Sequence, residues 1–342
     1  MAAGFSLELL RNKLGFSGRA GLWKFIALLF ALINLKTLPL AWHIRLITGL
    51  LRQIRSSRIR LASKSGPSAL FQPVITSSRS PFLECDYNLH KSNSTYFSDF
   101  DVGRLELLVS LCGYGIDQTR KELAKESKDG FATMLGGVSC NFKREIKPFQ
   151  AFEVWTRILC WNNKWIYVIG HFVKKGAVKP RSYTLQPWKK GKANRAEGTE
   201  TAVNGDGSNS GPHPAIFASA IAKYVFKKGR LTIPPERVLR ASQLLPPKPV
   251  DHETPPMTMT PNPETNSIDA STASIVEVLT PDNAGEVMAA SLTGGFGESD
   301  EWTWERVEKE RKRGMRIAEL YQGLEALSEE FTGDNMPVLG QY

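Results

Sequence analysis

Tyr96, Phe100, Gly103, Leu107, Leu111 and Tyr114 recur at helical spacing, and strand-like runs follow them. A glycine inside such a stripe costs a helix about 1 kcal/mol relative to alanine. Something must therefore pack closely against Gly103, and a sheet wrapped around the helix would supply that reason. Asp101 and Arg104 pair at i, i+3 on another face of the helix, and Gly113 and Gly115 read as its end.

The strand signals come downstream. Phe131–Phe142 is a β-like run, and Pro148 breaks the chain before the next one. Phe152–Trp161 is rich in β-branched and aromatic residues, Asn162-Asn163-Lys164 supplies a turn, and Trp165–Val173 returns as the second arm of a hairpin. A further strand is expected over Ile216–Phe226. Glu301–Phe331 carries Trp302, Val307, Met315, Ile317, Leu320 and Leu324 among charged residues, and is expected to be a helix that returns to pack on the domain.

The charge balance narrows the partners. Residues 1–64 hold eleven Lys and Arg against one acid, Glu8, and so carry the whole formal net charge of +10. The remaining residues balance. Basicity confined to one arm beside an apolar run reads as a membrane-surface contact, not as the basic footprint of a nucleic-acid site. Residues 20–42 together reach the ~20 residues a bilayer span requires. Leu40–Leu51 continues as a basic amphipathic stretch, and a cleaved organelle presequence is the competing reading of the arm. The expected organisation is a membrane-anchoring segment over 1–61, a Ser/Pro/Gly linker over 62–80 and a domain over 81–240. That domain holds a disordered insertion at 188–213. A disordered linker follows over 241–300, then the C-terminal helix over 301–331. Cys85, Cys112, Cys140 and Cys160 form no CxxC pair and read as reduced structural thiols.

The chemistry concentrates between residues 86 and 96. Asp86, Asn88 and His90 place a carboxylate, an amide and an imidazole just ahead of the helix. Free N–H groups at a helix start can hold a developing oxyanion, so the pattern suits acyl transfer. Each residue also has a plainer reading. Asp86 and Asn88 are common turn formers, Asn93 or Ser94 would cap the helix, and His90 would be a hydrogen-bonded loop residue. His171 and His213 lack metal-ligand neighbours, so no metal and no cofactor are expected. Asn93-Ser94-Thr95 is the one N-x-[ST] sequon in the chain. A glycan there would block the site, so the domain is expected to face cytosol or an organelle matrix.

Asp86, His90, Asn93 and Tyr96 together resemble the D-x-x-x-H-x-x-N-x-x-Y signature of hotdog thioesterases, with Asn88 adding the D-x-N-x-H form of plant-type acyl carrier protein thioesterases. Phe152–Trp161 is similar to the F-E-V-x-T-R-x-L-x-W hairpin of the thioesterase superfamily member six-like proteins, and Leu38–Arg45 to their N-terminal segment. The chain departs from many relatives at Lys91-Ser92-Asn93, where V-N-N or M-N-N is usual. The resemblance implies an α+β hotdog fold, an antiparallel sheet wrapped around a central helix, flanked by an N-terminal membrane helix and a C-terminal helix. It implies hydrolysis of acyl-CoA or acyl-carrier-protein thioesters, with Asp86 as base or nucleophile, Asn88 orienting and His90 assisting. Asn93, Ser94, Thr95, Tyr96 and Phe100 would contact substrate, the aromatic stripe lining an acyl tunnel. A homodimer, lipid metabolism and an endoplasmic reticulum membrane with the catalytic domain cytosolic are the further expectations, a mitochondrion the alternative. A non-catalytic acyl-binding scaffold and a hotdog dehydratase remain open beside the hydrolase.

Overall fold

The computed structural model describes residues 18–55, 59–125, 129–180, 183–186, 214–249 and 302–329. The expected insertion at 188–213 and residues 250–300 of the expected linker lie outside them. Among the described residues six α-helices and six strands carry the fold. They are α1 (Gly18–Ile33), α2 (Ala41–Arg55), α3 (Ile59–Ser65), β1 (Val74–Arg79), α4 (Asn93–Ala124), β2 (Phe131–Phe142), β3 (Ala151–Trp161), β4 (Ile166–Lys174), β5 (Ile216–Lys228), β6 (Leu231–Ile233), α5 (Pro235–Ala241) and α6 (Trp304–Gln322). The strands form one antiparallel sheet in the order β1-β3-β4-β5-β2, with β6 added to the end of β5. The sheet wraps α4 as a hotdog does.

Close approach between helix and sheet explains the glycines. A methyl placed on Gly103 would meet Thr156 Oγ1 of β3 at 2.6 Å, and one on Gly170 of β4 would meet the Phe100 ring at 2.3 Å. Gly113 and Gly115 do not end α4, which runs 32 residues to Ala124. Gly115 is instead where α5 presses in, with the Val238 carbonyl oxygen 2.1 Å from where a Cβ would stand. The stripe of the central helix is core: Tyr96, Phe100, Leu107 and Leu111 are at most 2% exposed.

Two expectations need correction. Residues 62–80 are not a linker, and the domain does not start at Pro81. Ala62 is fully buried, Gly66–Ala69 form a 3-10 turn, and Val74–Arg79 is edge strand β1, paired with β3 from Val74↔Thr156 to Arg79↔Ala151. Gln186 lies against the outer rim of β1, where its side-chain amide accepts from Ile75 N at 2.9 Å and donates to Ile75 O at 3.0 Å.

The second correction concerns the arm. No helix of the described residues is long and apolar enough to cross a membrane. α1 stops at Ile33 because Asn34 turns inward: its amide donates to Phe30 O at 2.9 Å and accepts from Leu83 N at 2.9 Å. Leu40, at φ 65°, reverses the chain into α2, which packs on α4. At the other terminus the expected helix forms and lies on β3, where Gly314 meets the Leu159 carbonyl oxygen 2.5 Å from its would-be Cβ.

Candidate active site

Residues 85–92 form a tight loop immediately before α4. Cys85 and Lys91 close its base as a bridge, Asp86 N donates to His90 O at 2.9 Å, and Leu89 N donates to Asp86 O at 3.0 Å. Leu89 takes a positive φ of 58° at the tip. Lys91 N donates to Ile146 O at 2.8 Å and Ser92 N to Glu84 O at 2.7 Å, so neighbours hold the base from both sides.

Asp86 is half-buried at the start of this loop. Its Oδ1 accepts from Asn88 N at 2.9 Å and from His90 N at 3.4 Å, the Asx-type bonding that turn-forming aspartates make. Among the described residues no hydrogen bond engages Oδ2. Asn88 is exposed, while Tyr87 and Leu89 project at 93% and 58% exposure. His90 Nε2 lies 3.5 Å from Glu145 Oε1, a partner with no signal in the motif.

The helix start is open. Ser92 is the N-cap residue, but its side chain makes no capping bond; its hydroxyl sits 3.1 Å from Ser94 Oγ instead. Asn93 and Ser94 fall within the first turn and are exposed, so neither caps the helix. An uncapped first turn presents unpaired N–H groups and the positive end of the helix dipole. Thr95 is tied back to Ser92 O by its Oγ1 at 2.7 Å.

Tyr96 and Phe100 part company with the loop surface. Tyr96 packs edge-on against Phe142 and Phe172, its hydroxyl pushed up by burial, with Cys140 and Asp86 adding. Phe100 is fully buried beneath the Arg104 guanidinium, 4.6 Å from its ring centroid. In the single chain these rings fill the interior, and the expected tunnel wall is packed core. Burial likewise pushes the Cys140 and Cys112 thiols to about 12.

Beneath the loop lies a charged cluster that the motif does not announce. Lys91 Nζ contacts Glu84 Oε2 at 2.6 Å and Asp99 Oδ2 at 2.9 Å; Lys36 Nζ contacts both carboxylates at 2.8 Å; Arg45 reaches Asp99 Oδ1 at 2.8 Å. Ser78 Oγ donates to Asp99 Oδ1 at 3.1 Å. Burial pushes the Asp99 carboxyl up, but Lys91, Lys36 and Arg45 together hold it well below the usual carboxylate range. Burial pulls the Lys36 ammonium down, and Lys91 pulls the same way against Asp99 and Glu84.

A cleft of about 870 Å³ opens at the far end of β3, lined in part by Trp161, Trp304, Arg311 and Arg313. Ten residues of strand, ~33 Å, separate Trp161 from the β3 start beside the loop. Arg311 and Arg313 are already paired there with Glu308 and Glu310. Among the described residues no cluster of His, Cys, Asp and Glu is suited to a metal.

Residues 80–221, which span the loop, α4 and the sheet from β2 into the first half of β5, match the family model described as the thioesterase-like superfamily. The chain is 33% identical over 328 residues to the thioesterase poxG of Penicillium oxalicum, covering 94% of this chain and 90% of that protein. This chain belongs to the thioesterase-like superfamily. A second relative in it, the probable thioesterase atnL of Emericella nidulans, is 32% identical over 92% of this chain and 89% of its own length. Protein THEM6 of Xenopus laevis is 28% identical over 90 residues, 26% of this chain and 39% of that protein. For this superfamily member the 85–92 loop at the mouth of α4 is the candidate active site.

Proposed function

We propose that this chain hydrolyses acyl thioesters of coenzyme A or of an acyl carrier protein, with the chemistry at the 85–92 loop. The observation that carries the reading is the placement of Asp86, half-buried and fixed by its own loop, directly ahead of an uncapped 32-residue helix. Asp86 acts as general base, taking a proton from water as the water oxygen attacks the thioester carbonyl; the alternative is direct attack by the carboxylate to form a mixed anhydride that water then opens. The N–H groups of Asn93 and Ser94 receive the oxyanion. Asn88 orients the water or the substrate, and His90, steadied by Glu145, delivers the proton to the departing thiolate. Ser94, Thr95 and Tyr96 flank the acyl carbonyl, while Phe100 shapes the interior behind them.

The site is completed by a second copy of the chain. β2 pairs with β5 on one side and is otherwise a 12-residue edge exposing Met134, Leu135 and Phe142. An edge of that length and apolarity invites strand pairing. A glycan on the exposed sequon at Asn93 would cover the helix start, so this reading requires the working domain to face cytosol, at an endoplasmic reticulum membrane, or a mitochondrial matrix.

An acyl-binding scaffold is favoured by one observation, the use of Asp86 Oδ1 as a turn acceptor. Release of free thiol from a panel of acyl-CoA lengths separates the readings. Asp86→Ala should abolish hydrolysis while far-UV circular dichroism and acyl binding persist. Undiminished hydrolysis by that variant would refute the assignment, and hydration of enoyl thioesters without hydrolysis would identify a dehydratase.

A further inference from the structure

The helix α2 is amphipathic the wrong way round. Surface helices of globular domains normally turn their apolar stripe to the core. In α2 the inward face carries Arg45, Gly49 and Gln53, at i, i+4 and i+8, with Arg45 paired to Asp99 and Gln53 3% exposed. The outward face carries Ile44, Ile47, Leu51 and Ile54, each 54–59% exposed. α1 presents the same character more strongly: Leu22, Trp23, Phe25, Leu28, Leu32 and Ile33 are 47–70% exposed. Leu35 and Leu40 continue the surface between the two helices at 60% and 67%. A contiguous apolar face of this extent marks a docking site.

We propose that α1 and α2 form a monotopic binding face for an anionic phospholipid bilayer. Three observations select that occupant. First, the described α1, 16 residues and ~24 Å long, is shorter than the ~30 Å hydrocarbon thickness, a length that suits a helix lying in the interface. Second, residues 1–64 carry eleven Lys and Arg and a single acid. A second copy would bring a segment of the same sign of charge, whereas anionic headgroups carry the opposite sign. Third, the polar side of the arm is fastened to the domain, leaving the apolar side to face out. Asn34 holds Leu83 N, Lys36 donates to Arg79 O at 3.1 Å and pairs with Glu84 and Asp99, and Arg45 pairs with Asp99.

Leu83 and Glu84 immediately precede the 85–92 loop, and Asp99 pairs with Lys91 at its base. A bilayer bound to the arm therefore holds that loop in fixed register with the lipid surface. On the thioesterase reading above, this suits acyl substrates that partition into membranes.

Co-sedimentation of the full chain with vesicles of phosphatidylcholine alone, and with 30% phosphatidylserine added, tests the proposal. We expect at least tenfold tighter binding to the anionic vesicles, weakened by 0.5 M salt. The paired variant Ile47→Glu with Leu51→Glu, whose native side chains point outward, should lose at least tenfold in binding with an unchanged melting temperature. It should hydrolyse short water-soluble acyl-CoA as the native chain does, whereas Asp86→Ala should bind vesicles normally and fail to hydrolyse. If the double-Glu variant does not fold, Trp23→Glu in α1 gives the same readout. Absence of vesicle binding, equal binding to neutral and anionic vesicles, or a native dimer that these substitutions convert to monomer would each overturn the lipid assignment.

Discussion

Lys36 Nζ lies 2.8 Å from Asp99 Oδ2, joining the N-terminal arm to the second turn of the central helix. The Asp99 side chain is 1% exposed and also receives Arg45 and Lys91, whose side chain is fully buried. Removing one member of a buried charge set leaves the others uncompensated. Asp99→Asn should therefore destabilise the chain by about 3–5 kcal/mol in urea unfolding. Asp117→Asn, on the same helix but exposed with its Arg120 and Lys121 pairs, should cost under ~1 kcal/mol.

The Asp99 pair predicts an acid limb to stability. Its folded-state pKa is depressed, so its contribution is fully present above the unfolded value of about 3.9 and is lost as pH falls below that value toward the folded one. Urea midpoints measured from pH 6 to pH 2 should fall below pH ~4 in the native chain. The fall should be shallower in Asp99→Asn.

His171 predicts a separate, earlier limb. It sits in β4, 3% exposed, with Nδ1 2.8 Å from Ser219 Oγ. Burial, with the Arg157 charge adding, brings its pKa down to about 4. The unfolded chain takes up the proton near the ordinary histidine value while the folded chain does not, so stability should decline as pH drops from about 7 to 4. In His171→Asn that slope should flatten, read from urea midpoints at half-unit pH steps.

Gly115→Ala should lower the melting temperature. Alanine gains ~1 kcal/mol of helix propensity, but its Cβ would stand 2.1 Å from Val238 O. Overpacking costs ~1–3 kcal/mol or more, and backbone on α5 must move to relieve it. Gly323→Ala, with open space around its would-be Cβ, is the control and should be neutral.

His90→Gln should lower kcat by about 10²–10⁴ if the imidazole passes a proton to the leaving thiolate. A variant that alters thermal stability but leaves kcat intact would assign His90 to the loop alone.

The hairpin over 152–173 is legible because the Asn162-Asn163-Lys164 turn separates two runs of strand formers, and Asn162 Oδ1 indeed accepts from Lys164 N and Trp165 N. The place of Gly103 under a sheet follows from its cost in a helix. β1 escaped because Thr76, Ser77 and Ser78 read as linker; an edge strand with one face outward tolerates polar residues. Gly115 misled for a related reason, since a glycine demanded by a neighbour looks the same in sequence as one that stops a helix. The charge cluster escaped because Lys36, Glu84, Lys91 and Asp99 spread over 63 positions and meet only when the arm folds back. Asp86, Asn88 and His90 are local in sequence and remain local in space, which is why that loop could be read directly.

Gln186 plugs the opposite rim of the sheet at Ile75. A protein with both rims bare can polymerise strand by strand into ribbons. Here a strand arriving along β1 would have to displace that amide from Ile75. The amide thus raises the cost of adding a strand at that rim.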